Sequence, residues 1–175
     1  MAKFSDVVQG TRARKAVKLP LPGAHVDEET GQWVGPTVDL LVRPLREDEH
    51  TEVLKVARAF AIKNGLEEPG DGDPLYEQGK MTQTLALACL DVEGPTDGEP
   101  VLFFDGVDPK TKEQVGAFAQ IQRSEMMSAE VLAYLYQQQQ TFQDEVNPLL
   151  KTMSPSSFMG AAIKTAQGDM SFFVN

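Results

Sequence analysis

The spacing of apolar residues changes at Pro44, and this change constrains the fold more than any other feature of the sequence. Before it, in "PTVDLLVRPL", Val38, Leu40 and Val42 alternate with other residues, which is the period of a strand. The stretch "KAVKLPLPG" alternates more weakly, and an acidic turn, "DEETG", lies between the two. We predict a β-hairpin with a long connection, in which Trp33 packs on the body rather than facing a partner.

The stretch after Pro44 has the helical period, and the end signals of the first two helices are clear. The segment "REDEHTEVLKVARAFAIKNG" begins with acidic residues and ends at an Asn-Gly stop. Asp73 and Pro74 then predict the cap and the first residue of a second helix, which we extend through Leu90. This second helix contains Cys89 as a small buried hydrophobe. Because Cys89 is the only cysteine, no internal disulfide can form, which favours a reducing compartment.

Two further helices are predicted near the C-terminal end. The pair Asp108 and Pro109 is expected to open a short helix with three apolar residues along it, Val115, Phe118 and Ile121. Ser154 is expected to cap a last helix that packs antiparallel to the one before it. The whole pattern predicts an α+β fold, a mostly helical body with a small N-terminal β-hairpin unit.

The segment 129–146 reads as a helix, capped by Ser128, whose apolar face contains amides. Its apolar residues recur at intervals of four, seven and four and form one stripe: Val131, Leu135, Phe142 and Val146. Gln139 falls inside this stripe and Gln138 lies at its margin. Glutamine is a good helix former, so one interpretation is an ordinary surface patch.

The other interpretation of this helix is a docking face. Amides on an apolar face cost free energy unless they find partners, and a partner protein can supply them. We therefore predict that Tyr134, Gln138, Gln139 and Phe142 contact a partner. On this hypothesis Gln139→Leu leaves folding intact and alters binding.

Charge is divided between a basic N-terminal arm and an acidic body. Five basic residues and one acidic residue lie before position 21, although the whole chain carries a net charge of −10. We accordingly divide the chain into residues 1–43, the basic arm and hairpin, and residues 44–175, an acidic helical domain. Arg12, Arg14 and Lys15 are either a solvated strand edge or a contact to an acidic partner. A second copy of the chain is one such partner, so homo-oligomerisation remains open.

The same charge argues against several classes of partner. A sequence pI near 4.6 argues against nucleic-acid binding, which needs a basic face. The N-terminal segment lacks the apolar core of a signal peptide, and no run of about 18 apolar residues offers a membrane span. We predict a cytoplasmic protein that binds neither nucleic acid nor membrane.

The sequence predicts no catalytic residue, no metal site and no cofactor. His25 and His50 have no partners at zinc-ligand spacing, so we interpret both as solvated surface residues. The string "GDGDP" lacks the later oxygen ligands of a calcium loop. No nucleotide-binding or nucleophile motif occurs, and Cys89 has no evident base. Acidic pairs such as Asp48 and Glu49 are expected to be solvated.

The sequence from about residue 38 to its end resembles the small tail assembly chaperones of long-tailed bacteriophages. The resemblance rests on "RPLREDEHTEVLKVAR", "LALACLDVEG", "PVLFFDG", "LAYLYQQQQTFQDEVNP" and "MSPSSF". It implies a non-catalytic protein of virion morphogenesis that binds the tape-measure protein and helps recruit tail-tube subunits in the host cytoplasm. The basic N-terminal segment is longer than this family leads one to expect. A structural tail or neck subunit retained in the virion is therefore the alternative.

Overall fold

The computed structural model describes residues 13–94, 100–108, 110–124 and 127–146. In chain order its elements are β1 (Lys15–Pro20), β2 (His25–Val26), β3 (Trp33–Val34), β4 (Thr37–Val42), α1 (Glu47–Lys63), α2 (Pro74–Ala88), β5 (Cys89–Leu90), β6 (Gly106–Val107), β7 (Gln114–Val115), α3 (Ala117–Arg123) and α4 (Ala129–Val146). The fold is α+β, as predicted. None of the helices in these ranges is long and apolar enough to cross a membrane.

The predicted N-terminal hairpin is formed by β1 and β4. The two strands pair antiparallel over six residues, with Val17 opposite Leu40 and Lys18 opposite Asp39. Their apolar side chains alternate onto one face and are buried: Val17, Leu19, Leu40 and Val42. The long connection holds a second, smaller hairpin made of β2 and β3. The period of two in the sequence therefore marks the strands and their buried face.

The end of α2 differs from the prediction. The helix ends at Ala88, and Cys89 and Leu90 form β5, which pairs antiparallel with β4. Phe103 donates its backbone N–H to the Cys89 carbonyl oxygen at 2.9 Å. Pairing with β4 and Phe103 gives the backbone here more partners than another helical turn offers, so sheet contacts override the local helix preference. Cys89 is buried as predicted.

Helix α1 matches its predicted start and stop signals, α2 matches its predicted start, and the two helices pack closely. The last residue of α1 is Lys63, followed by Asn64, and α2 begins at Pro74 after its cap residue Asp73. Gly79 lies at the contact between the two helices, where an added Cβ would lie 2.9 Å from the Cα of Ala57. Glycine is thus required for this close approach.

The segment after Asp108 is a hairpin turn, which corrects the helix predicted to open there. The Asp108 carboxylate accepts the backbone N–H groups of Lys110 and Thr111 at 2.7 and 3.1 Å. In the turn between β2 and β3, the Asp27 carboxylate likewise accepts the backbone N–H groups of Glu29 and Thr30. An aspartate that bonds its own turn competes with helix formation. The helix starts later, at Ala117, so Val115 lies in β7 while Phe118 and Ile121 lie on α3.

One hydrophobic cluster joins the hairpin to α2, α3 and α4, and a smaller second cluster contains Val53 of α1. The first cluster contains Val17 and Leu40 from the hairpin, Leu85 from α2, Ile121 from α3 and Leu135 from α4. This cluster contains residues from both sides of the boundary predicted between residues 43 and 44. The helix predicted after Ser154 lies outside the described residues.

Candidate functional site

Helix α4 carries two neighbouring rows of side chains that differ in burial. Ser128 caps it as predicted, since its Oγ accepts the Val131 backbone N–H at 3.3 Å. The inner row is buried and consists of Val131, Leu135, Gln139 and Gln143. The outer row is half-buried and consists of Tyr134, Gln138 and Phe142. Each row has a spacing of four residues, so it runs along the helix axis.

Gln139 is fully buried, and its amide is satisfied inside the chain. Its Nε2 donates to the Arg43 carbonyl oxygen at 3.2 Å and to Gln143 Oε1 at 2.9 Å. Its Oε1 accepts from Gln140 Nε2 at 2.7 Å. The premise that this amide lacks a partner within the chain therefore does not hold for Gln139, and its contact with a partner protein stays a prediction. The apolar face tolerates the amide because the end of β4 supplies a carbonyl that must itself be bonded.

Gln143 extends this network to α1 and fixes the protonation of His50. Its Oε1 also accepts the Leu45 backbone N–H at 3.2 Å, so its NH₂ group points the other way. That group lies 2.7 Å from His50 Nε2. Because an amide nitrogen only donates, His50 Nε2 must accept, and the ring is neutral with its proton on Nδ1.

The two histidines have different environments. His50 is half-buried, so the prediction of a solvated His50 is wrong, whereas His25 is exposed as predicted. Burial lowers the pKa of His50 and outweighs the opposing charges of Glu49 and Glu47. No local pattern indicates this contact, because His50 and Gln143 are separated by 93 positions.

A buried ion pair lies beside the amide network. Arg43 donates from Nη1 and Nη2 to the two carboxylate oxygens of Glu49, at 2.8 and 2.7 Å. Glu49 also accepts the Arg46 backbone N–H at 2.9 Å, in the first turn of α1. Burial alone would raise the pKa of Glu49, but these hydrogen bonds and the arginine charges lower it.

The outcome for the predicted acidic pair is therefore divided. Asp48 is solvent-exposed as expected, whereas the side chain of Glu49 retains only 13% of its exposure. The signal that was missed is the position of Glu49, because a glutamate three residues after the helix cap commonly bonds the cap N–H.

An open cleft of about 390 Å³ lies between β1, the β2–β3 turn and α4. Its lining consists of Ala16, Val17, Lys18, Gly31, Gln32, Trp33, Tyr134 and Gln138. The rings of Trp33 and Tyr134 meet edge to face with centroids 5.9 Å apart. Both are partly buried against the core, which confirms that Trp33 packs on the body. Their remaining surface faces the cleft.

The structure brings some predicted docking residues together and separates others. Tyr134 and Gln138 line the cleft, whereas Phe142 packs against the core and does not line it. Arg14 is exposed just before β1, and Lys15 is half-buried as its first residue. Arg12 lies outside the described residues. Whether these residues bind a partner stays a prediction.

The chemical groups of the described residues are mostly committed to structure. Cys89 is buried, which raises the pKa of its thiol to about 12, so it is a poor nucleophile at neutral pH. Within the described ranges, no group of three or more His, Cys, Asp or Glu residues is placed to hold a metal ion. Comparisons with known protein families, curated proteins and solved structures find no match.

Proposed function

We propose that this protein is a non-catalytic phage tail assembly chaperone that binds the tape-measure protein and helps recruit tail-tube subunits. The observation that carries the proposal is the convergence of Trp33 and Tyr134 on one open cleft. Partly exposed aromatic side chains in a pocket are the usual anchors of protein interfaces. The amides of Gln32 and Gln138 beside them offer donors and acceptors to a partner backbone.

The buried network supports this proposal because it holds the cleft wall in place. Gln139 and Gln143 bond to the backbone between β4 and α1, which fixes the rotation of α4 about its own axis. The outer row is then presented in one orientation before any partner arrives. A surface that is already ordered loses less entropy on binding.

The choice of partner rests on the sequence. Tyr134 and Gln138 belong to "LAYLYQQQQTFQDEVNP", the segment that most resembles the phage tail chaperones. We propose that the protein acts in the host cytoplasm during assembly. A structural subunit retained in the virion tail or neck is the alternative, and the same cleft would then contact other virion proteins.

The proposal is tested by co-expression with the tape-measure and tail-tube proteins of the same phage, followed by affinity capture. We expect the tape-measure protein to be retained, and Tyr134→Ala to reduce its retention at least tenfold. The matched control is Tyr136→Ala, which removes another half-buried tyrosine of α4 that does not line the cleft. Thermal unfolding of both variants separates lost binding from lost folding.

Two outcomes would contradict the proposal. Failure to retain either tail protein, with all three proteins soluble, removes the chaperone role. Detection of the protein at a fixed stoichiometry in purified virions by mass spectrometry favours the structural subunit instead.

A further inference from the structure

The outer edge of β1 has backbone groups that point away from the sheet. In the described part of the chain the strand order is β1, β4, β5, so β1 has a neighbour on one side only. Arg43 donates its backbone N–H to the Ala88 carbonyl oxygen at 3.0 Å, toward β5. Because alternate residues of a strand direct their backbone groups to opposite sides, Val42 and Leu40 direct theirs toward β1.

The register then identifies which residues of β1 face outward. Lys15 pairs with Val42, and Val17 pairs with Leu40. Lys15 and Val17 therefore exchange hydrogen bonds with β4. Ala16 and Lys18 direct their N–H and C=O groups to the open side. Pro20, two residues after Lys18, also faces the open side, and it has no N–H to donate, as expected at a strand edge.

The open edge coincides with the cleft. Ala16 and Lys18 both line it, facing the aromatic pair Trp33 and Tyr134. Within the described residues, the cleft therefore combines main-chain donors and acceptors that have no strand beside them with an apolar wall. Domains that bind a peptide as an added strand use this combination, the main chain for affinity and a pocket for specificity.

The charges at this edge indicate what kind of strand fits. Lys18 is the only charged residue among those that line the cleft, and Lys15 lies near it along the same strand. Asp39 pairs with Lys18 at 3.1 Å, but both side chains are mostly exposed. If the β1 edge of a second copy paired here, its lysine side chains would lie opposite those of the first copy. Like charges directly opposite each other on neighbouring strands are destabilising.

We propose that the open edge of β1 receives an extended acidic segment of a partner protein as an additional strand, with one of its apolar side chains against Trp33 and Tyr134. This inference rests on the proposed function in that both use the same cleft. It adds the partner's conformation and charge, which the proposed function leaves open.

The test uses overlapping 12-residue synthetic peptides that cover the tape-measure and tail-tube proteins, measured by fluorescence anisotropy. We expect acidic peptides to bind, and Ala16→Pro to weaken the best peptide at least tenfold, because proline removes an outward N–H but leaves the bonds to β4. The matched control Ala16→Val keeps the N–H and should change affinity less than twofold. Equal binding by Ala16→Pro and Ala16→Val, or no binding by any peptide, overturns the proposal.

A second measurement does not depend on the fold of any variant. N-methylation of single peptide amides should abolish binding at alternate positions only, since a strand bonds its neighbour through every second residue. Loss at every position or at none overturns strand addition. Dimerisation of the protein alone that Ala16→Pro abolishes, seen by sedimentation equilibrium, would assign the edge to a second copy instead.

The failures of the two proposals are distinguishable. Retention of the full-length tape-measure protein by Ala16→Pro leaves the chaperone role standing and removes strand addition. Peptide binding with the alternating pattern, but no retention of either full-length tail protein, supports strand addition and removes the chaperone role.

Discussion

Gln138 and Gln139 are adjacent in sequence and identical in chemistry, yet they belong to different rows of α4. Gln139 is fully buried and bonds to the Arg43 carbonyl, whereas Gln138 lies at the cleft. A rotation of 100° along the helix separates the two environments. An amide on an apolar stripe therefore marks a buried backbone group that needs a hydrogen-bond partner at least as readily as it marks a docking face.

The largest effect is expected from breaking the ion pair beside the inner row. Arg43→Ala removes both short hydrogen bonds from Arg43 to the largely buried Glu49 carboxylate and leaves it only the Arg46 backbone N–H at 2.9 Å and the Arg46 guanidinium at 3.7 Å. We expect the free energy of unfolding to fall by about 3 to 5 kcal/mol in urea denaturation. Arg46→Ala is the control, because its side chain is 59% exposed, and its ion pairs with Asp48 at 3.3 Å and with Glu49 at 3.7 Å should together contribute less than about 1 kcal/mol. Equal costs for both variants would show that burial of the pair contributes nothing.

Gln139→Leu tests the inner row itself. It leaves the Arg43 carbonyl and the Gln140 amide without a hydrogen-bond partner, so we expect a loss of about 1 to 3 kcal/mol with peptide binding unchanged. This reverses the sequence-based expectation of intact folding and altered binding. A neutral or stabilising Gln139→Leu would show that leucine packing offsets the lost hydrogen bonds. Gln139 and Gln138 would then differ in burial but not in their contribution to stability.

The His50 contact predicts that the inner row is sensitive to acid. Burial lowers the pKa of His50 in the folded state, so below the unfolded value of about 6.5 the unfolded chain binds more protons than the folded one. The contribution of His50 to the free energy of unfolding should therefore be fully present above that pH. It should decrease as the pH falls toward the folded pKa, by at most about 1.4 kcal/mol per pH unit for one group.

A variant that cannot titrate isolates this contribution. His50→Gln retains an acceptor for Gln143 and should flatten the dependence of the urea midpoint between pH 7 and 5. Carboxylates such as Glu49, whose pKa is lowered from 4.5, lose their contributions at lower pH. An unchanged slope in His50→Gln would exclude His50 as the titrating group.

The smallest effect is expected from the outer row. Gln138→Ala removes an amide at the cleft, and we expect unfolding free energy to change by less than about 0.5 kcal/mol. Peptide affinity should fall by roughly fivefold, which corresponds to about 1 kcal/mol for one hydrogen bond. The reciprocal pattern in Gln139→Ala, lower stability with the same affinity, would complete the comparison. Equal effects of the two variants on affinity would remove the distinction between the rows.

Local signals predicted the parts of this fold that local physics decides. The hairpin, both ends of α1, the start of α2 and the capped α4 all follow from periodicity or from residues at their termini. The errors arise where distant segments meet. Cys89 lies in a strand rather than the helix because β4 offers backbone hydrogen-bond partners. Gln139 donates to the Arg43 carbonyl, 96 positions away.

The site was predicted in the same uneven way. Tyr134 and Gln138 could be selected from the helical pattern of α4, but Lys18 could not, because nothing in the sequence shows that β1 lies across from α4. The Asp108 turn is a different case, since Asp27 makes the same bonds in its own hairpin. Comparison of the segments "DEET" and "DPKT" would have corrected that helix.

The burial of Cys89 makes the chain convenient for fluorescence spectroscopy. It is the only cysteine in the sequence, and the raised pKa of its thiol keeps it protonated and unreactive toward maleimides at neutral pH. A Gln32→Cys variant would therefore accept one dye at the rim of the cleft, on a side chain that is exposed. The unsubstituted protein is its own unlabelled blank, so no background cysteine has to be removed from the core.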